Sequence, residues 1–258
     1  MKFGCCLGID KYKDLVDAGY DFIELAGTSI YKMSETEFKQ VRAILKEGPL
    51  QCAGFNAFLS PEVKVIGDCV DDGKVDEYTD KVIYRAGVLG IKNIGFGSPF
   101  SRTVLEGFSR EQAVEQAIAF VENVSKKVDK YHIQILVEPV CKLETNFINS
   151  TAEALRIIHQ VNRKNVGLLL DLYHFCVENE DVGIIGSSLM EHLRHVHIAE
   201  ENGKVYPIRS QYDKYKTLID RLKLAGYNGT LSIEASYHEF AKDAVCALDI
   251  LKEIDNEP

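Results

Sequence analysis

The chain has 258 residues, of which 46% are hydrophobic and 27% charged, and its formal net charge is −9. A chain of this length and composition can bury a sizeable core, so we expect one globular domain spanning residues 1–258. The acidic balance argues against nucleic acid and anionic membranes as partners, because binding to phosphate groups relies on lysines and arginines.

The seven cysteines and the absence of long apolar runs predict the compartment. Seven is an odd number and none of the cysteines forms a CxxC pair, which is typical of reduced thiols. No apolar run approaches the ~18 residues that span a bilayer, and no signal-like segment follows Met1. We therefore expect a cytoplasmic protein that does not enter a membrane.

Short apolar runs alternate with longer amphipathic stretches along the chain. The predicted strands are 2–8, 22–27, 51–58, 93–99, 133–139, 166–174, 194–200 and 230–236, and the predicted helices include 34–47, 74–90, 110–130, 151–162, 211–226 and 239–254. Eight strand-helix units in about 250 residues predict an α/β protein with a (β/α)₈ TIM-barrel fold. A doubly wound open sheet is the alternative.

The last four predicted strands each end in an acidic or imidazole side chain. These residues are Glu138, Asp171, His197 and Glu234. Because the carboxyl ends of barrel strands surround one mouth, the four side chains should converge there. Three carboxylates brought together need a compensating cation, so we expect a divalent metal ion. The oxygen-rich set suits Mn²⁺, which we favour, as well as Co²⁺ or Mg²⁺, and Zn²⁺ would also bind. His132 and His195 lack such partners, and we interpret them as structural.

Polar residues also follow the third and fourth predicted strands. Asn56 and Ser98 are candidate substrate contacts, although loop capping explains each of them equally well. Arg102 could contact a substrate phosphate, which would point to a sugar-phosphate substrate.

With these residues in place, the chain resembles the sugar isomerases and epimerases with a xylose-isomerase-like barrel, and most of all their ketose 3-epimerases, the tagatose and psicose epimerases. The resemblance covers essentially the whole chain. In that family Glu, Asp, His and Glu from the last four strands hold the metal, with spacings close to those of Glu138, Asp171, His197 and Glu234. The resemblance therefore implies the same ligand set here.

Two further motifs carry the resemblance and imply contacts to a sugar. The stretch "EPVCKLET" (138–145) implies that Glu144 binds the sugar, and "DLYH" (171–174) implies that His174 contacts it beside the ketone. The chain departs from the family at Cys141-Lys142, where Asn-Arg is common. It also has Gly203 in place of an arginine, which leaves Lys204 or Arg209 as stand-ins. These departures concern the substrate rather than the metal.

The expected activity is a metal-dependent epimerase or isomerase of a ketose or sugar phosphate. Inverting a carbon beside a ketone passes through an enediolate, and Glu138 and Glu234 on opposite sides would act as base and acid. A dehydratase of an inosose or keto-acid on the same barrel is the main alternative. An abasic-site nuclease, which would need more zinc-binding histidines, and a sugar-binding protein are further alternatives. A homodimer or homotetramer is expected.

Overall fold

Eight parallel strands close into a barrel in the order of the chain, with β8 pairing to β1. The structure is a computed structural model that describes residues 1–257. The strands are β1 (Lys2–Cys6), β2 (Phe22–Ala26), β3 (Gln51–Asn56), β4 (Asn93–Phe96), β5 (Gln134–Val137), β6 (Val166–Asp171), β7 (Leu193–Ile198) and β8 (Thr230–Ile233). The predicted TIM barrel is confirmed, and the open-sheet alternative is wrong.

Helices connect the strands around the outside of the barrel. They are α1 (Tyr12–Ala18), α2 (Gly27–Lys32), α3 (Glu35–Glu47), α4 (Asp72–Leu89), α5 (Pro99–Arg102), α6 (Arg110–Asp129), α7 (Thr151–Val161), α8 (Leu172–Val177), α9 (Ser187–Met190), α10 (Tyr212–Leu224) and α11 (Phe240–Asn256). None of those described is long and apolar enough to cross a membrane.

The strands end earlier than their apolar runs predicted. The run 166–174 contains both β6 and the start of α8, because the Asp171 side chain accepts a hydrogen bond from Tyr173 N and so caps that helix. The run 133–139 becomes the four residues of β5, and Glu138 and Pro139 lie beyond it. The chain therefore leaves the sheet where the polar side chains begin.

Two apolar layers bury the strands. Residues 135–137 of β5 are fully buried, since the barrel interior lies on one side and helices α6 and α7 pack on the other. Val121 and Val124 of α6 belong to the same core. Burial of each such side chain contributes roughly 1.5–3 kcal/mol relative to exposure. This packing fixes the strand ends that carry the polar residues of the mouth.

Candidate active site

The four strand-end residues converge at the barrel mouth. Asp171 is the last residue of β6 and pairs in register with His197 of β7, whereas Glu138 and Glu234 directly follow β5 and β8. One potential ligand atom from each of the four lies within 4.8 Å of the others. The side chains of Asp171 and His197 are 0% exposed, and those of Glu138 and Glu234 are 9% and 22% exposed.

Two buried atoms of this cluster have no hydrogen-bond partner among residues 1–257. They are Nδ1 of His197 and Oδ2 of Asp171. Nδ1 of His197 lies 3.7 Å from Glu138 Oε1 and 3.8 Å from Glu234 Oε2, too far for a hydrogen bond. Unpaired buried polar atoms are costly, and a cation between them would satisfy both. The three carboxylates and one imidazole therefore fit a divalent metal ion.

Neighbouring groups set the charge of Glu234 and Asp171. Asn56 Nδ2 donates to Glu234 Oε1 at 2.8 Å, and Lys204 Nζ lies 3.1 Å from Oε2. Burial alone would raise the pKa of Glu234, but Lys204, His197 and Asn56 outweigh it and hold the pKa at about 2. Burial raises the pKa of Asp171, and Lys204, 3.8 Å from its Oδ2, only partly opposes that shift.

Tight packing fixes the position of Glu138. A side-chain carbon at Gly97 would overlap its Oε2 atom, so a larger residue there would displace the carboxylate. Arg102 is fully buried and donates to the carbonyl oxygens of Phe96 at 2.9 Å and Glu138 at 2.8 Å. The suggestion that Arg102 contacts a phosphate is therefore wrong, because its guanidinium ties β4 to the end of β5.

A cavity of about 290 Å³ opens above the cluster, which is near the lower end of the usual size of ligand sites. The titratable side chains that line it are those of Glu138, Glu234, Glu144, His174 and Lys204. Its other walls are Thr28, Ala57, Leu59, Pro61, Gly97, Ser98, Pro99, Phe100 and Val140. The structure thus brings the predicted contacts Glu144, His174 and Ser98 to the same cavity as two of the predicted ligands, and their binding roles stay predictions.

Hydrogen bonds already occupy part of the polar wall. Ser98 Oγ accepts from Leu59 N at 3.0 Å, which supports the loop interpretation of this residue. Nδ1 of His174 accepts from Cys141 N at 3.3 Å, so its Nε2 carries the hydrogen. Burial, assisted by Lys204, lowers the pKa of His174 and keeps the imidazole neutral. His174 can therefore donate through Nε2.

Arg209 lies outside the mouth, and its predicted contact with substrate is wrong. Its guanidinium forms an ion pair with Glu253 at 2.6 Å on the outer surface, and its side chain is 52% exposed. Lys204 enters the cavity instead. Gly203 and Lys204 both have left-handed backbone, with φ of 88° and 46°, which turns the chain so that the lysine faces Glu234. Of the two predicted stand-ins, Lys204 is therefore the one that lines the cavity, and its role there stays a prediction.

Glu24 is a further acidic residue of the site that was not predicted from the sequence. This carboxylate of β2 is 3% exposed and lies 2.5 Å from His195 Nε2 and 3.3 Å from His197 Nε2. Burial opposes its charge, but His195 and His197 outweigh burial and lower the pKa of Glu24 well below its usual value. An acid inside the apolar run "FIELAG" was the available signal, of the same kind as Glu138.

A larger cavity lies away from this mouth. It measures about 770 Å³ and lies between α4 and α6, where its titratable walls are Asp68, Asp72, Asp76 and Glu115. Its lining includes no histidine, cysteine or basic side chain. The smaller cavity is therefore the candidate active site, because the ligand-type side chains converge there.

Comparison with known proteins identifies the family. The family model described as "Xylose isomerase-like TIM barrel" matches residues 12–254. The chain belongs to this family. The family resemblance seen in the sequence is thereby confirmed.

Named relatives of the xylose isomerase-like chain are epimerases and isomerases. A ketose 3-epimerase of Arthrobacter globiformis is 32% identical over 45% of this chain, which spans 40% of that protein. A 2-oxo-tetronate isomerase of Haemophilus influenzae is 25% identical over 88% of this chain and 86% of that protein. These relatives support an isomerase enzyme.

Solved structures agree on the fold. The D-allulose 3-epimerase from Methylomonas sp. superimposes with a TM-score of 0.84 at 21% identity, covering 98% of each chain. The IOLI protein, solved with a zinc atom, gives a TM-score of 0.69 at 17% identity over 99% of this chain and 96% of that one. Both share the barrel with the present chain.

Proposed function

We propose that this protein is a metal-dependent epimerase or isomerase of a small ketose, acting by proton transfer at a carbon next to the carbonyl group. The observation that carries the proposal is the convergence of Glu138, Asp171, His197 and Glu234 beside the mouth cavity. Across residues 1–257, no other cluster combines three carboxylates with an imidazole. A metal-dependent sugar isomerase uses this combination of a cation site and paired acid-base groups.

The four side chains are the proposed ligands of a divalent metal ion, with Mn²⁺ favoured over Co²⁺, Mg²⁺ and Zn²⁺. The unpaired Nδ1 of His197 and Oδ2 of Asp171 support this assignment. When bound, the ion would supply Lewis-acid stabilisation of the oxygen charge that develops in an enediolate. The remaining steps belong to side chains of this protein.

Glu138 and Glu234 are the proposed acid and base. They follow strands three apart around the barrel, and both line the cavity. One carboxylate accepts the proton from the substrate carbon, and the other, as a carboxylic acid, returns a proton to the opposite face. Return of the proton to the same carbon gives epimerisation. Return of the proton to the neighbouring carbon, together with transfer of a second proton between the two oxygens, gives isomerisation.

Lys204 controls the basicity of Glu234 in this scheme. A pKa of about 2 makes Glu234 a weak base while Lys204 is paired with it. Proton abstraction by Glu234 therefore requires the ammonium group to turn from the carboxylate to an oxygen of the substrate. The same movement would stabilise negative charge on that oxygen.

Glu144 and His174 are the proposed sugar contacts. Glu144 can accept hydrogen bonds from sugar hydroxyls, and the neutral His174 donates through Nε2. Asn56 supports Glu234 rather than lining the cavity, because its amide is engaged by that carboxylate. Recognition of the sugar then depends on hydrogen bonds to its hydroxyl and carbonyl oxygens.

The charges around the cavity favour an unphosphorylated substrate. Phosphate sites in proteins usually offer arginine, several cations or a helix N-terminus. Among the residues that line this cavity, Lys204 is the one permanent cation, and Glu234 and Asp171 already neutralise it. Arg102 and Arg209 are both engaged elsewhere.

The test is hydrogen exchange at carbon. The metal-loaded protein is incubated in deuterated water with psicose, tagatose, fructose, ribulose or 2-oxo-tetronate, and deuterium incorporation and the new sugar are followed by NMR. We expect incorporation that depends on added Mn²⁺ or Co²⁺. In Glu138→Gln and Glu234→Gln the rate should fall at least about 100-fold, because an amide cannot accept the proton.

Arg209→Ala is the matched control, and it should exchange like the wild type because its side chain lies on the outer surface. Loss of water, detected as a new enone absorbance, would instead assign the dehydratase activity. Absence of exchange across the panel in a protein that binds the metal would contradict the proposal.

A further inference from the structure

Beneath the candidate metal ligands lies a buried polar layer that the proposed reaction does not use. Glu24 of β2 reaches across the barrel interior to His195 and His197 of β7 and accepts a hydrogen bond from Ser232 of β8. Each of these four side chains is at most 3% exposed. A carboxylate so far from water is unfavourable unless its acceptor sites are filled, and here Ser232 and His197 hydrogen-bond to it while His195 Nε2 lies 2.5 Å from Oε1.

The hydrogen bonds of His195 show how the layer is oriented. Thr230 Oγ1 lies 2.7 Å from His195 Nδ1, and Glu24 Oε1 lies 2.5 Å from Nε2. An ionised carboxylate only accepts hydrogen bonds, so Nε2 of His195 carries the ring hydrogen, although its close contact with Glu24 is not aligned as a hydrogen bond. Its Nδ1 is then free to accept from the threonine hydroxyl. His195 therefore holds Oε1 of Glu24 and leaves Oε2 for the second imidazole.

His197 is oriented by the same carboxylate. Its Nε2 lies 3.3 Å from Glu24 Oε2 and 3.8 Å from Cys6 Sγ, and the carboxylate is both the closer and the stronger acceptor. The hydrogen that the ring directs to Glu24 is thus on Nε2. Nδ1 is the atom that faces Glu138 and Glu234 without a partner within residues 1–257, and it is the nitrogen that can offer a lone pair to a metal ion while Nε2 keeps its hydrogen.

We propose that Glu24 is a positioning residue that holds His197 as its Nε2–H tautomer, so that Nδ1 is presented to a divalent metal ion. The inference rests on the metal-dependent function proposed above, and it adds a residue that contacts neither the ion nor the sugar. A carboxylate that accepts the second N–H of a metal-bound histidine fixes the ring and strengthens it as a ligand. His195, Thr230 and Ser232 keep the carboxylate in place.

The first test is made on the wild type loaded with diamagnetic Zn²⁺, where ¹⁵N NMR shows which ring nitrogen of His197 keeps its hydrogen. We expect His197 to carry its hydrogen on Nε2. A spectrum with the hydrogen on Nδ1 would overturn the proposal, whether or not the protein is an isomerase. This measurement needs no variant and no substrate.

The second test is Glu24→Gln, which keeps the size of the side chain. The amide NH₂ can donate to Nε2 of His197 and so favour the Nδ1–H tautomer, which blocks the ligand atom. Competition with a chelator should show binding of Mn²⁺ and Co²⁺ weakened by about 10–100-fold. Wild-type affinity in a folded Glu24→Gln protein would overturn the inference.

Glu200→Gln is the matched control. Glu200 is another glutamate that is only 4% exposed, and it accepts from Tyr215 Oη away from the metal ligands. We expect wild-type metal affinity in this variant. Equal weakening in both variants would mean that the loss of any buried carboxylate disturbs the barrel, and the specific role of Glu24 would be rejected. If the wild type binds the metal ion but shows no hydrogen exchange at the substrate carbon, the proposed function is contradicted and this inference still holds.

Discussion

Lys204 and Glu234 form an ion pair beside the candidate metal ligands, with Nζ 3.1 Å from Oε2 and 3.8 Å from Asp171 Oδ2. The ammonium group of Lys204 therefore contacts carboxylate oxygens that a metal ion would also need as ligands. Like charges at such separations repel by several kcal/mol before relaxation, at an effective dielectric constant of about 20. The lysine should compete with the metal while it favours the substrate.

Replacing Lys204 with methionine should accordingly have opposite effects on metal and sugar. We expect Lys204→Met to bind Mn²⁺ more tightly, on the order of tenfold or ~1.4 kcal/mol, and to turn over the ketose more slowly. Calorimetric metal titration and exchange kinetics measure the two effects. Lys126→Met, which removes an exposed lysine paired with Glu122, is the control. Weaker metal binding in Lys204→Met would show that the lysine orders the ligands instead.

Gly97→Ala should displace the carboxylate of Glu138. The added carbon would overlap Oε2 of Glu138, and the backbone itself has no positive φ at this position that would strain an alanine. We expect metal affinity to fall by roughly tenfold because one ligand loses its position by about an ångström. Gly186→Ala, which would meet nothing within 4 Å, should leave affinity unchanged. Unchanged affinity in both variants would argue against Glu138 as a ligand.

The depressed pKa of Glu234 predicts a specific acid sensitivity of the metal-free protein. Its pKa is about 2 in the folded chain and 4.5 ordinarily, so its contribution to stability is present above pH 4.5 and is lost as the pH falls toward 2. Between pH 5.5 and 3.5 the wild type should lose about 1 kcal/mol more than Glu234→Gln. Urea unfolding at the two pH values measures this. An equal loss in both proteins would mean that Lys204 does not hold Glu234 ionised.

Arg102 should matter for folding rather than for a substrate phosphate. Removing it leaves the carbonyl oxygens of Phe96 and Glu138 unpaired in the core, so we expect Arg102→Met to lower the free energy of unfolding by about 3 kcal/mol. Arg110→Met, at a half-exposed arginine that donates to Asn146 O, should cost less than about 1 kcal/mol. Denaturant unfolding compares them. Near-equal values would contradict the structural role.

The polar ends of β5 to β8 were predictable from the sequence, whereas the choice of Lys204 over Arg209 and the place of Glu24 were not. Asp171 and His197 follow from apolar runs that end in a ligand-type side chain, since barrel geometry then brings the strand ends together. The choice between Lys204 and Arg209 depended on the left-handed backbone at Lys204, which no local pattern indicates. Glu24 was overlooked because its partners come from β7 and β8, on the far side of the closure between β8 and β1.

The hydrogen bonds of Arg102 join β4 to the end of β5, and this junction lies between two parts of the chain that contribute differently to the site. On one side lie the metal-type residues of β5 to β8, anchored in the core. On the other lie cavity walls such as Thr28, Ala57 and Phe100, which belong to the segments after β2 to β4. Loops tolerate substitution far better than core strands do. Substitutions in these first-half loops can therefore reshape the cavity wall while the metal-type residues of the second half, and the contacts Glu144 and His174, are kept.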